Sequence, residues 1–209
     1  MAALNRRDVL ALVGAGLAAA CLAPQGQARE IQPGLHEISG QDAATVRKVL
    51  AMLTAIPVGT GREITCYMSS LCSVCQAFFR DYPGYVVPGV AMRYVPTVLM
   101  DAESGAVERV LSRPDLATFR QFMARQFSDA APLPFDGSVR IADAVTTPRQ
   151  RFSRHALLIA AISFLFRRNG SPALGEGTPR FLFTTENGNA YMVVGTPTPE
   201  MFRDIIALK

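Results

Sequence analysis

The chain has 209 residues, 49% of them hydrophobic, a formal net charge of +4 and a mean hydropathy of +0.19. That composition suits one compact domain with a sizeable core. Its basic residues are too scattered for a nucleic-acid surface, and four cysteines are too few for a disulfide scaffold of this length.

The first 28 residues are expected to be an export signal. Asn5-Arg6-Arg7-Asp8-Val9-Leu10 gives a charged start with paired arginines, Val9 to Ala23 is apolar, and Gly26-Gln27-Ala28 offers a small-residue cleavage site. Paired arginines fit the twin-arginine route. Asn5 stands where Ser or Thr is commoner, and an ordinary secretory signal fits as well. Ala18-Ala19-Ala20-Cys21 loosely resembles a lipoprotein cleavage box, but Ala18 stands where the box prefers Leu, so Cys21 is read as part of the apolar signal core. The expected location is therefore the periplasm. The longest apolar run after the signal, Ala156 to Phe166, is about half of the ~20 residues a membrane span needs.

Without Arg6, Arg7 and Asp8, 19 basic residues stand against 16 acidic ones. Arg149, Arg151, Arg154, Arg167 and Arg168 gather around one segment and read as the solvated ends of a helix.

Residues 29–60 read as an extended lead-in followed by one helix. The helix is expected from Asp42 to Ile56, with Ala43, Val46, Val49, Leu50 and Leu53 on one face, and Pro57, Gly59 and Gly61 end it. Glu63 to Met68 reads as a buried strand, Ser69-Ser70-Leu71 as a turn, and Ser73 to Tyr82 as a helix broken by Pro83-Gly84. Val90 to Val95 is the next strand. Residues 103–127 read as two helical pieces parted near Pro114, and residues 128–146 as a long loop. Thr147 caps a helix that opens on Pro148, runs to Asn169 and stops at Gly170. Arg180 to Thr185 and Ala190 to Val194 form a hairpin about Asn187-Gly188, and Thr198 caps a last helix through Ala207.

The chemistry gathers at Cys72-Ser73-Val74-Cys75, where the strand ends and the helix begins. A first sulfur near the free N–H groups of a helix start is favoured as thiolate. A second sulfur one turn further in is near enough to attack a mixed disulfide formed on the first. Disulfides persist outside the cytoplasm, yet the exported part holds only Cys66, Cys72 and Cys75. One close pair and one odd cysteine read as a working dithiol. Cys66, six residues before Cys72, reads as a buried apolar filler or, less simply, as a regulatory third thiol. His36 and His155 read as structural or solvated.

Ile64-Thr65-Cys66 through Cys75-Gln76-Ala77-Phe78, then Met92-Arg93-Tyr94, Gly177-Thr178-Pro179 and Val194-Gly195-Thr196-Pro197-Thr198-Pro199-Glu200-Met201, resemble the catalytic domain of bacterial periplasmic disulfide isomerases of the DsbC/DsbG type. The resemblance covers roughly residues 60–209. It implies an α/β, thioredoxin-like fold over residues 61–209 with a helical insertion at about 103–170, and the segment Ala117 to Phe166 is expected to shape a substrate groove beside the redox turn. It implies that Cys72 attacks and Cys75 resolves. It also implies that Thr178-Pro179, with a cis bond, presents backbone to an extended substrate. No cofactor is implied. The implied partners are exported proteins with cysteines and a membrane thiol reductase or oxidase that resets the pair. The chain departs from the family in its Ser73-Val74 dipeptide. It also departs in residues 29–60, which are too few for the family's N-terminal dimerisation domain, so a dimer of that kind is not expected.

Two rival readings stand beside this one: a thioredoxin-fold copper chaperone that holds a soft metal with the same thiols, and a docking protein that keeps the fold without the chemistry.

Overall fold

A computed structural model describes residues 29–32, 34–81, 89–171 and 178–208. The expected export signal, including Cys21, lies outside the described residues, as does the expected helix break at Pro83-Gly84. Among the described residues, no helix is long and apolar enough to cross a membrane.

Seven strands form one sheet: β1 (Arg29–Gln32), β2 (Leu35–Ile38), β3 (Ile56–Gly59), β4 (Arg62–Met68), β5 (Val90–Pro96), β6 (Arg180–Thr184) and β7 (Ala190–Val194). Their spatial order is β1-β2-β7-β6-β4-β5-β3. Among the described strands, only β4 and β5 run parallel, in register from Arg62 opposite Val90 to Met68 opposite Pro96. A parallel pair needs a crossover, and α2 (Ser73–Asp81) lies in it.

The central strands are buried on both faces, so their sequences are nearly continuous apolar runs that still sort by alternation. Ile64, Cys66 and Met68 of β4 face one core together with Phe181 and Phe183 of β6 and Tyr191 and Val193 of β7. Tyr67, Leu182 and Met192 face the other. The first core is roofed by α2, α3 (Ser104–Ser112), α4 (Leu116–Met123) and α6 (Pro199–Ala207). The second is roofed by α1 (Gly40–Met52) and α5 (Pro148–Arg168).

Several local readings are met. Thr147 and Gln150 form a capping box at the start of α5, with Pro148 in the first turn. Thr198 caps α6 by accepting from the Met201 N–H at 3.2 Å. Gly188 takes the left-handed φ of 91° that the β6–β7 turn needs.

Other segments differ from expectation. Residues 29–60 supply three strands as well as a helix. β2 pairs with β7, Ile38 opposite Ala190, and β3 pairs with β5, Ile56 opposite Tyr94. The first helix accordingly ends at Met52, with Leu53 already extended, because Ile56 is recruited to the sheet edge. The Pro57 and Gly59 that read as breakers are tolerated in an edge strand. The arginines around α5 do more than meet solvent. Arg149 donates to the carbonyls of Pro134 and Phe135, Arg154 to that of Ile141, and Arg168 pairs with the buried Asp42 of α1. They fasten the 128–146 loop and α1 to α5.

Candidate active site

Cys72 is the residue immediately before α2, and its sulfur caps that helix. The Cys75 N–H donates to Cys72 Sγ at 3.1 Å, and the Gln76 N–H donates to the Cys72 carbonyl at 3.0 Å. This is the geometry of an N-cap side chain, with sulfur in the place usually taken by oxygen. Cys72 keeps 8% of its surface in contact with solvent, whereas Cys75 and Cys66 keep none. All three are free thiols.

The helix is anchored from below. Phe78 meets Phe181 edge-on at 4.8 Å, and Phe79 meets Tyr94 and Phe119 at 5.2 and 5.3 Å. Through Phe119, α4 of the insertion packs directly on the redox helix. Val74, between the cysteines, is about half exposed.

The strand β6 brings the second half of the site. The Thr178–Pro179 bond is cis, as the resemblance implies. Arg180 pairs with Tyr67 of β4, which sets Thr178 beside the redox turn. The Cys72 thiol donates to the Thr178 carbonyl at 3.2 Å. Thus Cys72 Sγ sits between a backbone donor from its own helix and a backbone acceptor from the neighbouring strand's lead.

Burial, and next the hydrogen bond with Cys72, push the Cys75 thiol up from 9.0 to about 12. Thr178 Oγ1 is buried without a well-aligned hydrogen bond, yet lies near enough to the Cys75 thiol to oppose that shift. Burial, and then the proximity of Cys75 and Cys72, hold the Cys66 thiol well above its ordinary range. Cys66 shares the core below the pair. His155 is buried on α5 with Nε2 at 2.8 Å from the Pro96 carbonyl, and burial depresses it from 6.5 to about 4. His36 is buried in β2. Among the described residues, no three His, Cys, Asp or Glu side chains gather as a metal site.

One group at the site escaped the sequence reading. Glu103, in a 3-10 turn (Asp101–Glu103) after β5, is 4% exposed and reaches under the turn that carries Cys72. Its carboxylate accepts from Ser69 Oγ with both oxygens at 2.8 Å, from Ser70 Oγ at 2.8 Å, from the Leu71 N–H at 3.2 Å and from the Leu99 N–H at 2.7 Å. In Met100-Asp101-Ala102-Glu103-Ser104 nothing local distinguishes this acid from a solvated one. Gln76, also passed over, donates from Nε2 to the Ser70 carbonyl at 2.6 Å.

A CxxC pair at the head of a helix between two parallel strands, faced by a cis-proline that opens an antiparallel hairpin with a closing helix, defines the architecture. The fold is thioredoxin-like, with helices α3 to α5 inserted between β5 and β6. No protein-family model and no curated protein matches the sequence. Among solved structures, the chain is similar to a periplasmic thioredoxin-like protein from Salmonella enterica serovar Typhimurium, at 14% identity and a TM-score of 0.42 over 77% of this chain and 94% of that one. It is similar to the catalytic domain of Proteus mirabilis ScsC, at 14% identity and a TM-score of 0.45 over 80% and 96%. It is also similar to a thioredoxin-like oxidoreductase from Silicibacter pomeroyi DSS-3, at 14% identity and a TM-score of 0.44 over 81% and 96%.

Proposed function

We propose that this chain is an exported thiol–disulfide oxidoreductase that acts on cysteines of exported proteins. The observation that carries the reading is the position of Cys72 Sγ, 3.1 Å from the Cys75 N–H and 3.2 Å from the Thr178 carbonyl. The donor stabilises a thiolate. The acceptor is occupied only while Cys72 keeps its proton. Once that proton leaves, the carbonyl is free to receive a backbone N–H of an extended substrate, and Pro179, which has no N–H of its own, leaves that strand end open.

In the reducing direction the Cys72 thiolate attacks one sulfur of a substrate disulfide. The Cys72–substrate S–S bond forms, the substrate S–S bond breaks, and the departing thiolate takes up a proton. Cys75, after losing its proton, attacks Cys72 Sγ and expels the second substrate thiol. The substrate gains two electrons and the protein ends as a Cys72–Cys75 disulfide. A membrane thiol reductase would restore the dithiol, and with an oxidase as partner the same steps run backwards. Isomerisation of the DsbC/DsbG kind requires the reduced form and the same first attack.

The periplasmic location rests on the signal-like residues 1–28 and their paired Arg6 and Arg7. An insulin-reduction assay beside metal analysis of the purified protein tests the reading. Turnover lost in Cys72→Ser supports it. Absent turnover with stoichiometric copper bound through the two thiols would put the chaperone in its place.

A further inference from the structure

Glu103 is a buried carboxylate with no catalytic step assigned to it, and it meets the redox turn from below. Four groups donate to it, Ser69 Oγ, Ser70 Oγ and the N–H groups of Leu71 and Leu99, and all four are neutral. A buried negative charge without a cation beside it is costly, so a fold that keeps one should gain something local from it. Three of these donors belong to the span Ser69–Leu71, and that span has further work. Its Ser69 carbonyl accepts from the Cys72 N–H at 3.3 Å, and its Ser70 carbonyl accepts from Gln76 Nε2 at 2.6 Å. Glu103 therefore fastens the segment that sets the backbone of Cys72 at the head of α2.

From this we propose that Glu103 is a positioning residue which also sets the reactivity of Cys72. Its hydrogen bonds hold the turn so that Cys72 Sγ caps α2, and its negative charge opposes the thiolate that the helix start favours. The pair is thereby kept less oxidising than the helix geometry alone would make it. The role rests on the oxidoreductase reading for its purpose, but not for its measurement.

Among the described residues, the titratable groups facing Cys72 are Cys75 on α2 and Cys66 on β4, while Thr178 brings a carbonyl and a hydroxyl. Among the described residues, the groups that donate to Glu103 are hydroxyls and N–H groups. Glu103 is the acidic side chain that the hydrogen-bond network joins to the turn.

The test is alkylation of Cys72 by iodoacetamide, located by mass spectrometry, as a function of pH. Glu103→Gln is isosteric and removes the charge, although its one carbonyl serves only one of the Leu71 and Leu99 N–H groups. Its rate at pH 7, relative to the plateau near pH ~10, should rise roughly three- to tenfold, the size expected for one nearby charge in a protein interior. Its equilibrium with glutathione should shift toward the dithiol. A folded Glu103→Gln with the wild-type ratio, or one in which only the plateau rises because Cys72 is merely uncovered, overturns the proposal.

Ser70→Ala provides an arm that does not depend on the fate of Glu103→Gln. It removes one neutral donor and leaves the charge. Insulin-reduction kcat/KM should fall several-fold while the alkylation ratio does not rise. A ratio that rises as in Glu103→Gln would assign the effect to the turn and overturn the role of the charge. Wild-type insulin turnover and kinetics in Ser70→Ala that match each other would overturn the positioning role. If the wild type fails to reduce insulin while the Glu103→Gln ratio moves as stated, the oxidoreductase reading fails and the action of Glu103 on Cys72 stands.

Discussion

Cys72 and Thr178 lie 106 positions apart in the chain, and the thiol of the first donates to the carbonyl of the second across 3.2 Å. This contact joins α2 to the lead of β6, so the sulfur at the head of the helix and the end of that strand share one small surface. It makes the two cysteines unequal: Cys72 touches this surface, and Cys75 lies inside with no exposure.

That inequality predicts the behaviour of the single mutants. Cys72→Ser should abolish insulin reduction. Cys75→Ser should retain the first attack and accumulate mixed disulfides, visible as higher-mass bands on non-reducing gels that vanish with dithiothreitol. Trapping by Cys72→Ser in place of Cys75→Ser would reverse the two roles.

Resolution should be the pH-sensitive step. With the Cys75 thiol pushed up to about 12, the fraction available to attack rises about tenfold per pH unit across the neutral range. Release of a preformed mixed disulfide on Cys72 should accelerate accordingly in stopped-flow measurements. The same shift has a stability sign. The folded value lies above the ordinary 9.0, so the contribution is complete below about pH 9 and is lost as pH rises toward 12. Cys75→Ala should flatten the alkaline fall in Tm, and an unchanged slope would show that other groups govern it.

His155 works at the other end of the scale. Its folded value, about 4, lies below the ordinary 6.5, so its contribution is present above pH 6.5 and is lost as pH falls toward 4. The full loss is roughly 3 kcal/mol if the whole shift is realised. His155→Gln retains a donor for the Pro96 carbonyl and does not titrate. Its Tm should therefore vary less than the wild type's between pH 7 and 4. Parallel curves for the two proteins would remove His155 as the cause.

Gly105 marks a tight approach between the insertion and its own loop. A Cβ there would lie 2.1 Å from the Ala131 carbonyl oxygen, which is backbone. Gly105→Ala must push the 128–146 loop off α3, and a loss of about 2 kcal/mol is expected by denaturant titration. An unaltered midpoint would mean that the loop shifts freely.

The elements legible in the sequence were those whose signals are local. The strand before the CxxC, the N-cap at Thr147, the turn at Gly188 and the cap at Thr198 depend on neighbours within a few residues, and each stands where the pattern put it. The pairing of Cys72 with Cys75 was legible because three residues of spacing place both sulfurs on one helical turn. Local pattern misread the strands in residues 29–59. Leu35-His36-Glu37-Ile38 carries no clean alternation, because Glu37 is buried by donors from Tyr191 and Asn189 that lie in or beside a strand more than 150 positions away. Pro57 and Gly59 read as breakers, since nothing local says that β3 would be an edge strand. Glu103 was invisible for the same physical reason. An acid's burial is decided by which donors the tertiary fold brings to it, and Ser69, Ser70 and Leu71 come from 32 to 34 positions away. The sequence by itself determined which two thiols share a helical turn and which turns and caps frame them. Only the tertiary structure decided what surrounds those sulfurs, because charge, burial and backbone partners there arrive from other strands.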